Sequence, residues 1–126
     1  MIVPEGENGD LVVYMLHFDR KLADRQHYIG STIYTRRFTR WREHAQGNGS
    51  HYVRRFIRQG IGFRVVRLWF CRTRQHEQVL KRTAVFSKLC PLCSPQLPQP
   101  EPLHYEANGW TPTIDAHWSH RKGGAR

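Results

Sequence analysis

The chain has 126 residues, with 20 Lys and Arg against 10 Asp and Glu, a formal charge of +10 and a pI near 10.3. That length admits one small domain, no apolar run approaches the ~20 residues of a membrane span, and the acidic, Gly-bearing start lacks the charged-then-apolar pattern of an export signal. A soluble cytoplasmic protein with reduced thiols is therefore expected, and the odd count of three cysteines argues against a disulfide framework.

Sixteen of the twenty cations are arginine, and between Arg25 and Lys88 fifteen Lys or Arg residues face only two carboxylates, Glu43 and Glu77. Arginine's planar fork matches phosphate oxygens in pairs. A segment so poor in acid repels itself on folding unless an anionic ligand compensates, which favours a nucleic-acid partner over charge kept for solubility alone.

In chain order, Met1 to Asp10 carries Pro4, Gly6 and Asn8-Gly9 and reads as a lead-in. The apolar run Leu11 to Phe18 has a strand's length and predicts a buried central strand. Asp19 to Gln26 is polar and turn-like, and His27 to Thr32 returns as the second strand of a hairpin. Thr35 is the expected N-cap of a helix over Arg36 to Ala45, with Trp41 and Ala45 inward and Arg40 and His44 on a neighbouring stripe. Gln46 to Ser50 ends it. A second helix over His51 to Gln59 takes Ser50 as cap, turns Val53, Phe56 and Ile57 inward and presents Arg54, Arg55 and Arg58, with Gly60 as its stop. Gly62 to Phe70 predicts a third strand. Arg74 to Leu89 predicts a third helix with Val79, Leu80, Ala84 and Leu89 available to the core. Beyond it Cys90-Pro91-Leu92-Cys93 and Pro95, Pro98, Pro100 and Pro102 predict an extended tail, although Tyr105, Trp110, Ile114 and Trp118 are unusual in a pure linker. The expected organisation is thus a lead-in (1–10), an α/β (α+β) domain of order ββααβα with a three-stranded antiparallel sheet (11–89), and a tail (90–126).

Hydrolysis of a phosphodiester needs a positioned water, a group to take its proton, and positive charge for the transition state. Tyr14 and Tyr28 on paired strands supply phenols, whose ordinary pKa near 10 must be lowered by nearby cations before they act as bases. Arg40 is the candidate charge clamp and His44, one turn later, the candidate proton shuttle. The order Val12-Val13-Tyr14, Tyr28-Ile29-Gly30 and Arg40-Trp41-Arg42-Glu43-His44 resembles the GIY-YIG nuclease superfamily, over about Leu11 to Lys88. The resemblance implies that fold, with Tyr14, Tyr28, Arg40 and His44 catalytic and Gly30 positioning substrate. It also implies one divalent metal, Mg2+ or Mn2+, on a late-helix glutamate, here Glu77 in His76-Glu77-Gln78-Val79-Leu80-Lys81. His51 is a further candidate phosphate-facing histidine. Val12 stands where the family has glycine, and Asn108 is the one distant candidate for the family's terminal asparagine.

Cys90 and Cys93 are half of a zinc knuckle, which needs two more ligands. Cys71, His104, His117 or His120 are the candidates, at spacings without recognised regularity, so a buried structural pair is favoured over Zn2+. The leading expectation is a metal-dependent DNA endonuclease. Its alternatives are a catalytically silent nucleic-acid-binding module of the same fold and a zinc-knuckle adaptor contacting a protein partner through the tail.

Overall fold

A computed structural model describes residues 4–6, 11–71, 75–83, 85–99, 103–109 and 112. Strands β1 (Pro4–Gly6), β2 (Leu11–Leu22) and β3 (Arg25–Ile33) are followed by a 3-10 turn (Tyr34–Arg36) and helices α1 (Arg37–Ala45) and α2 (His51–Arg58). Strand β4 (Phe63–Cys71), helices α3 (Gln75–Thr83) and α4 (Phe86–Leu89) and strand β5 (Leu103–Tyr105) complete it. The chain is a mixed α/β structure built on an open, largely antiparallel sheet.

β2 lies at the centre, antiparallel to β3 on one side and to β4 on the other. Its apolar run is continuous because both faces are covered. Val12, Tyr14, Leu16 and Phe18 point into a core closed by Trp41 and Ala45 of α1, Val53, Phe56 and Ile57 of α2, and Phe63 and Val65 of β4. Val13 and Met15 point the other way, with Ile29, Val66, Trp69, Cys71 and Cys90, and Leu80 and Phe86 pack onto them. The register of β2 on β4 slips between Met15 and Leu16, where Met15 faces Arg67 and Leu16 faces Val65. This bulge at Val66 reverses the phase of β4, so Val66 and Leu68, two residues apart, are buried on opposite faces and simple alternation fails there.

Several expectations are corrected. The sheet has five strands rather than three, because β1 pairs parallel with Leu68 to Phe70 and β5 pairs antiparallel with Phe63 to Val65, both on the outer edge of β4. The lead-in thus contains a strand. The described part of the expected tail is packed: Cys90 and Tyr105 are buried, Tyr105 stacks on Phe63 with centroids 5.3 Å apart, and the Asn108 amide donates to the Ala45 carbonyl. Backbone groups on the free edge of β4 recruit β5, and prolines 98 and 100 lie before that strand rather than in it. Trp110, Ile114 and Trp118 lie outside the described residues.

The polar stretch after Phe18 is strand rather than loop. It extends the β2–β3 ribbon to a two-residue turn in which Ala23 and Asp24 have φ of 51° and 65°. Thr35 sits in the 3-10 turn and caps nothing; α1 begins after Arg36 without a side-chain cap. The single late helix is two, α3 and α4, with Val79 exposed; Ala84 lies outside the described residues. α2 agrees with expectation, its Ser50 hydroxyl accepting from the Val53 amide at 3.3 Å. No helix among the described residues is long and apolar enough to cross a membrane.

Candidate active site on one sheet face, a histidine-cysteine group on the other

Gly30 lies opposite Tyr14 in the hairpin register. A Cβ there would stand 2.7 Å from both the Tyr14 hydroxyl oxygen and the Tyr28 ring, so glycine is what lets the two phenols close over β3. Their ring centroids are 6.4 Å apart. Trp41 meets Tyr14 edge-on at 5.9 Å, and His44 meets Tyr14 and Tyr28 at 5.8 and 5.5 Å.

Tyr14 and His44 are both fully buried and joined by a 2.6 Å hydrogen bond between the phenol oxygen and Nε2. The Ser50 amide approaches His44 Nδ1 at 3.4 Å. An amide donates only, so Nδ1 accepts and Nε2 carries the proton that it donates to Tyr14. Burial, with the Arg40 charge second, holds His44 down to about 3, so the ring is neutral at pH 7. A Cβ at Gly49 would overlap the His44 ring. Sequence reading treats Gly49 only as part of a helix stop; nothing local reveals that the loop folds back over the histidine.

Burial, reinforced by neighbouring Tyr28, pushes the Tyr14 phenol well above its ordinary value, and the charge of the nearby Arg40 guanidinium offsets only part. The expectation that arginine crowding lowers the phenol pKa fails at Tyr14, because desolvation outweighs the nearby positive charge. Arg40 keeps a third of its side chain exposed and also reaches Glu43 at 3.3 Å. Arg37 stacks over Tyr34 at 3.8 Å and over the half-exposed Phe38 at 4.3 Å, giving this end of α1 a cationic aromatic surface.

Glu77 arrives from α3. It accepts from the Ser31 hydroxyl at 2.5 Å and pairs with Lys81 at 2.8 Å. Ser31 is the register partner of Val13, which faces the layer of Cys71 and Cys90, so Glu77 comes in from the side of the sheet opposite Tyr14, and its charge is the smallest influence on that phenol. The Lys81 ammonium in turn stands 5.7 Å from the Tyr28 ring centroid. Tyr14, Tyr28, Gly30, Arg40 and His44 are thus brought together, and Glu77 is linked to them through Lys81. His51 follows Ser50 at the start of α2 with its side chain exposed, and that side chain makes no hydrogen bond among the described residues. Asn108 holds a left-handed turn conformation, φ 64°, and docks through its backbone, a structural role. As an oxygen donor set, Glu77 together with water and a substrate phosphate suits a hard divalent cation, which would share the carboxylate with Lys81.

The opposite face carries a separate group. Cys90 and Cys93 meet His17 and His27, not the partners considered from sequence. The Cys71 thiol donates to the Trp69 carbonyl, His104 pairs with Asp19 at 2.8 Å, and His117 and His120 lie outside the described residues. Burial, with His27 adding to it at His17, holds both imidazoles down to about 4. The signal missed is register: His17 and His27 are cross-strand partners. A cleft of about 420 Å³, lined in part by Lys21, Arg25, His27, Tyr52, Phe86 and Cys93, adjoins this group rather than the tyrosines.

Compared with protein-family models, with curated proteins and with solved structures, the chain finds no match.

Proposed function

We propose that this chain is a GIY-YIG-like, metal-dependent endonuclease that hydrolyses phosphodiester bonds in DNA, with the strands β3-β2-β4 as the family's three-stranded core. The observation that carries this reading is the meeting of Tyr14, Tyr28, Arg40 and His44, drawn from β2, β3 and α1, around one buried phenol, with Glu77 of α3 joined to them through Lys81. The arrangement divides into a buried floor, Tyr14 and His44, and a solvent-reaching rim of Tyr28, Arg40, Glu77 and Lys81.

The rim meets the substrate. Arg40 and Lys81 offer donors to phosphate oxygens as negative charge builds in the transition state. Glu77 would hold the divalent cation, which when bound polarises a phosphoryl oxygen and makes water more acidic. Tyr28, half-buried beside both charges, orients the attacking water by its hydroxyl. Tyr14 keeps its proton beside Arg40, while neutral His44 anchors Tyr14 from below. The exposed arginines of α1 and α2 and the Arg37–Phe38 stack suit backbone and base contacts.

A second reading, a binding module without catalysis, draws on one observation: Lys81 already neutralises the Glu77 carboxylate. Supercoiled DNA separates the two. With Mg2+ or Mn2+ the protein is expected to produce nicked circles, and a chelator or Glu77→Ala is expected to stop this. Intact DNA at high protein concentration, bound in a salt-sensitive way, would establish the binding-only reading.

A further inference from the structure

We propose that His17, His27, Cys90 and Cys93 form a structural zinc site that ties the α4 segment to the β2–β3 hairpin. This rests on geometry independent of the nuclease reading. His17 Nδ1 lies 3.2 Å from His27 Nε2. The Cys90 sulfur lies 3.4 Å from His17 Nδ1, and the Cys93 sulfur lies 3.8 Å from the same atom and 3.4 Å from His27 Nε2. All four ligand atoms fall within 4.8 Å of one another. A tetrahedral zinc with bonds of about 2.3 Å to sulfur and about 2.0–2.1 Å to nitrogen has ligand-to-ligand edges of about 3.3–3.8 Å. The four edges, 3.2–3.8 Å, fall within about 0.1 Å of that range before any ion is placed.

The protein builds this convergence from two remote segments. On the hairpin, His17 and His27 are directly opposed and share the face that carries Met15 and Ile29. On the other segment, Cys90-Pro91-Leu92-Cys93 closes a tight turn in which the Cys93 and Ser94 amides donate to the Cys90 carbonyl at 3.1 and 2.8 Å. The Leu92 and Cys93 amides are also aimed at the Cys90 sulfur. A turn that brings amides to a sulfur and projects two thiols to one side is the half-site a thiolate-bound metal uses.

Donor chemistry selects the ion. Two thiolates and two imidazoles with no carboxylate favour zinc over magnesium or calcium. Four protein ligands leave no open position, so the role is structural rather than catalytic. The need is plain: α4 has four residues, and the 90–99 segment after it has no helix or strand of its own. His27 precedes Tyr28 on β3, so a metal fixed on one face also steadies the strand that presents Tyr28 on the other.

The full-length chain, purified under reducing conditions and equilibrated with zinc, is expected to retain about one zinc per molecule. Cobalt in its place is expected to give the visible bands of a tetrahedral ion and a thiolate charge-transfer band. Cys93→Ser and His27→Gln should each lose the metal, while Cys71→Ser retains it. His17→Cys, which keeps four ligands, should retain a tetrahedral ion with a stronger thiolate band, so the proposal stays testable even where a ligand deletion unfolds the chain. Chelation of the wild type should lower its melting temperature and expose two additional reactive thiols. Zinc content near zero, full zinc content in the Cys90→Ser, Cys93→Ser double variant, or a Cys90–Cys93 disulfide in the reduced preparation would overturn it.

Discussion

His44 and Gly49 make a pair whose contributions can be separated by mutation and by pH. The backbone at Gly49 is not left-handed, so Gly49→Ala adds no φ penalty and its effect isolates the overlap with the His44 ring. We expect a loss of about 1–3 kcal/mol, the usual range for overpacking, read as a lower urea midpoint at unchanged slope. The histidine itself is held down to about 3 by burial, against 6.5 unperturbed. A depressed folded-state value means that the unfolded chain binds the proton more readily between those limits. Stability from this group is therefore complete above about pH 6.5 and is lost as the pH falls towards 3, with a slope of at most about 1.4 kcal/mol per pH unit. Urea midpoints between pH 7 and 4 check this, and His44→Gln should lower the slope without abolishing it, because His17 and His27, held down to about 4, keep their own share. Neither residue's role was legible. Gly49 reads as a helix stop, and the depth of His44 depends on the loop that closes over it. Tyr14 and Tyr28 were legible as phenols on paired strands, whereas the space that Gly30 leaves for them follows from a register that no local pattern reveals.

Among the elements, the hairpin turn is where sequence and geometry conflict most. Ala23 and Asp24 both occupy positive φ, which two-residue hairpin turns require and which Asn-Gly adopts with least strain. Left-handed alanine costs roughly 1–2 kcal/mol. Combining Ala23→Asn with Asp24→Gly should therefore raise stability by about 1 kcal/mol in equilibrium denaturation, without changing metal content or DNA affinity. Ala-Asp carries no turn signal of this type, which is why the ribbon was read as ending at Phe18. β2 and α2 were legible from a continuous apolar run and from the Ser50 cap with its inward Val53, Phe56 and Ile57. β1 and β5 were not, because short edge strands are held by backbone hydrogen bonds to β4 and leave little side-chain periodicity. The partners of Cys90 and Cys93 were hidden for a related reason: register alone makes His17 and His27 neighbours.

For the molecule as a whole, the charge of +10 and the near absence of acid between Arg25 and Lys88 set the expected response to salt. Log affinity for duplex DNA should fall linearly with log salt, and neutralising one phosphate-contacting arginine, tested with Arg55→Gln, should reduce the slope by about 0.9. Such binding is common to the nuclease and to a silent binding module. Glu77→Gln distinguishes them, since it preserves shape and removes the charge that holds a divalent cation. Metal-free DNA affinity and single-turnover nicking with Mg2+ are measured side by side on the wild type and this variant. If Glu77 holds the catalytic metal, the variant keeps affinity within about twofold and nicks at a rate lower by ~10²-fold or more; equal nicking rates at equal binding would contradict that role.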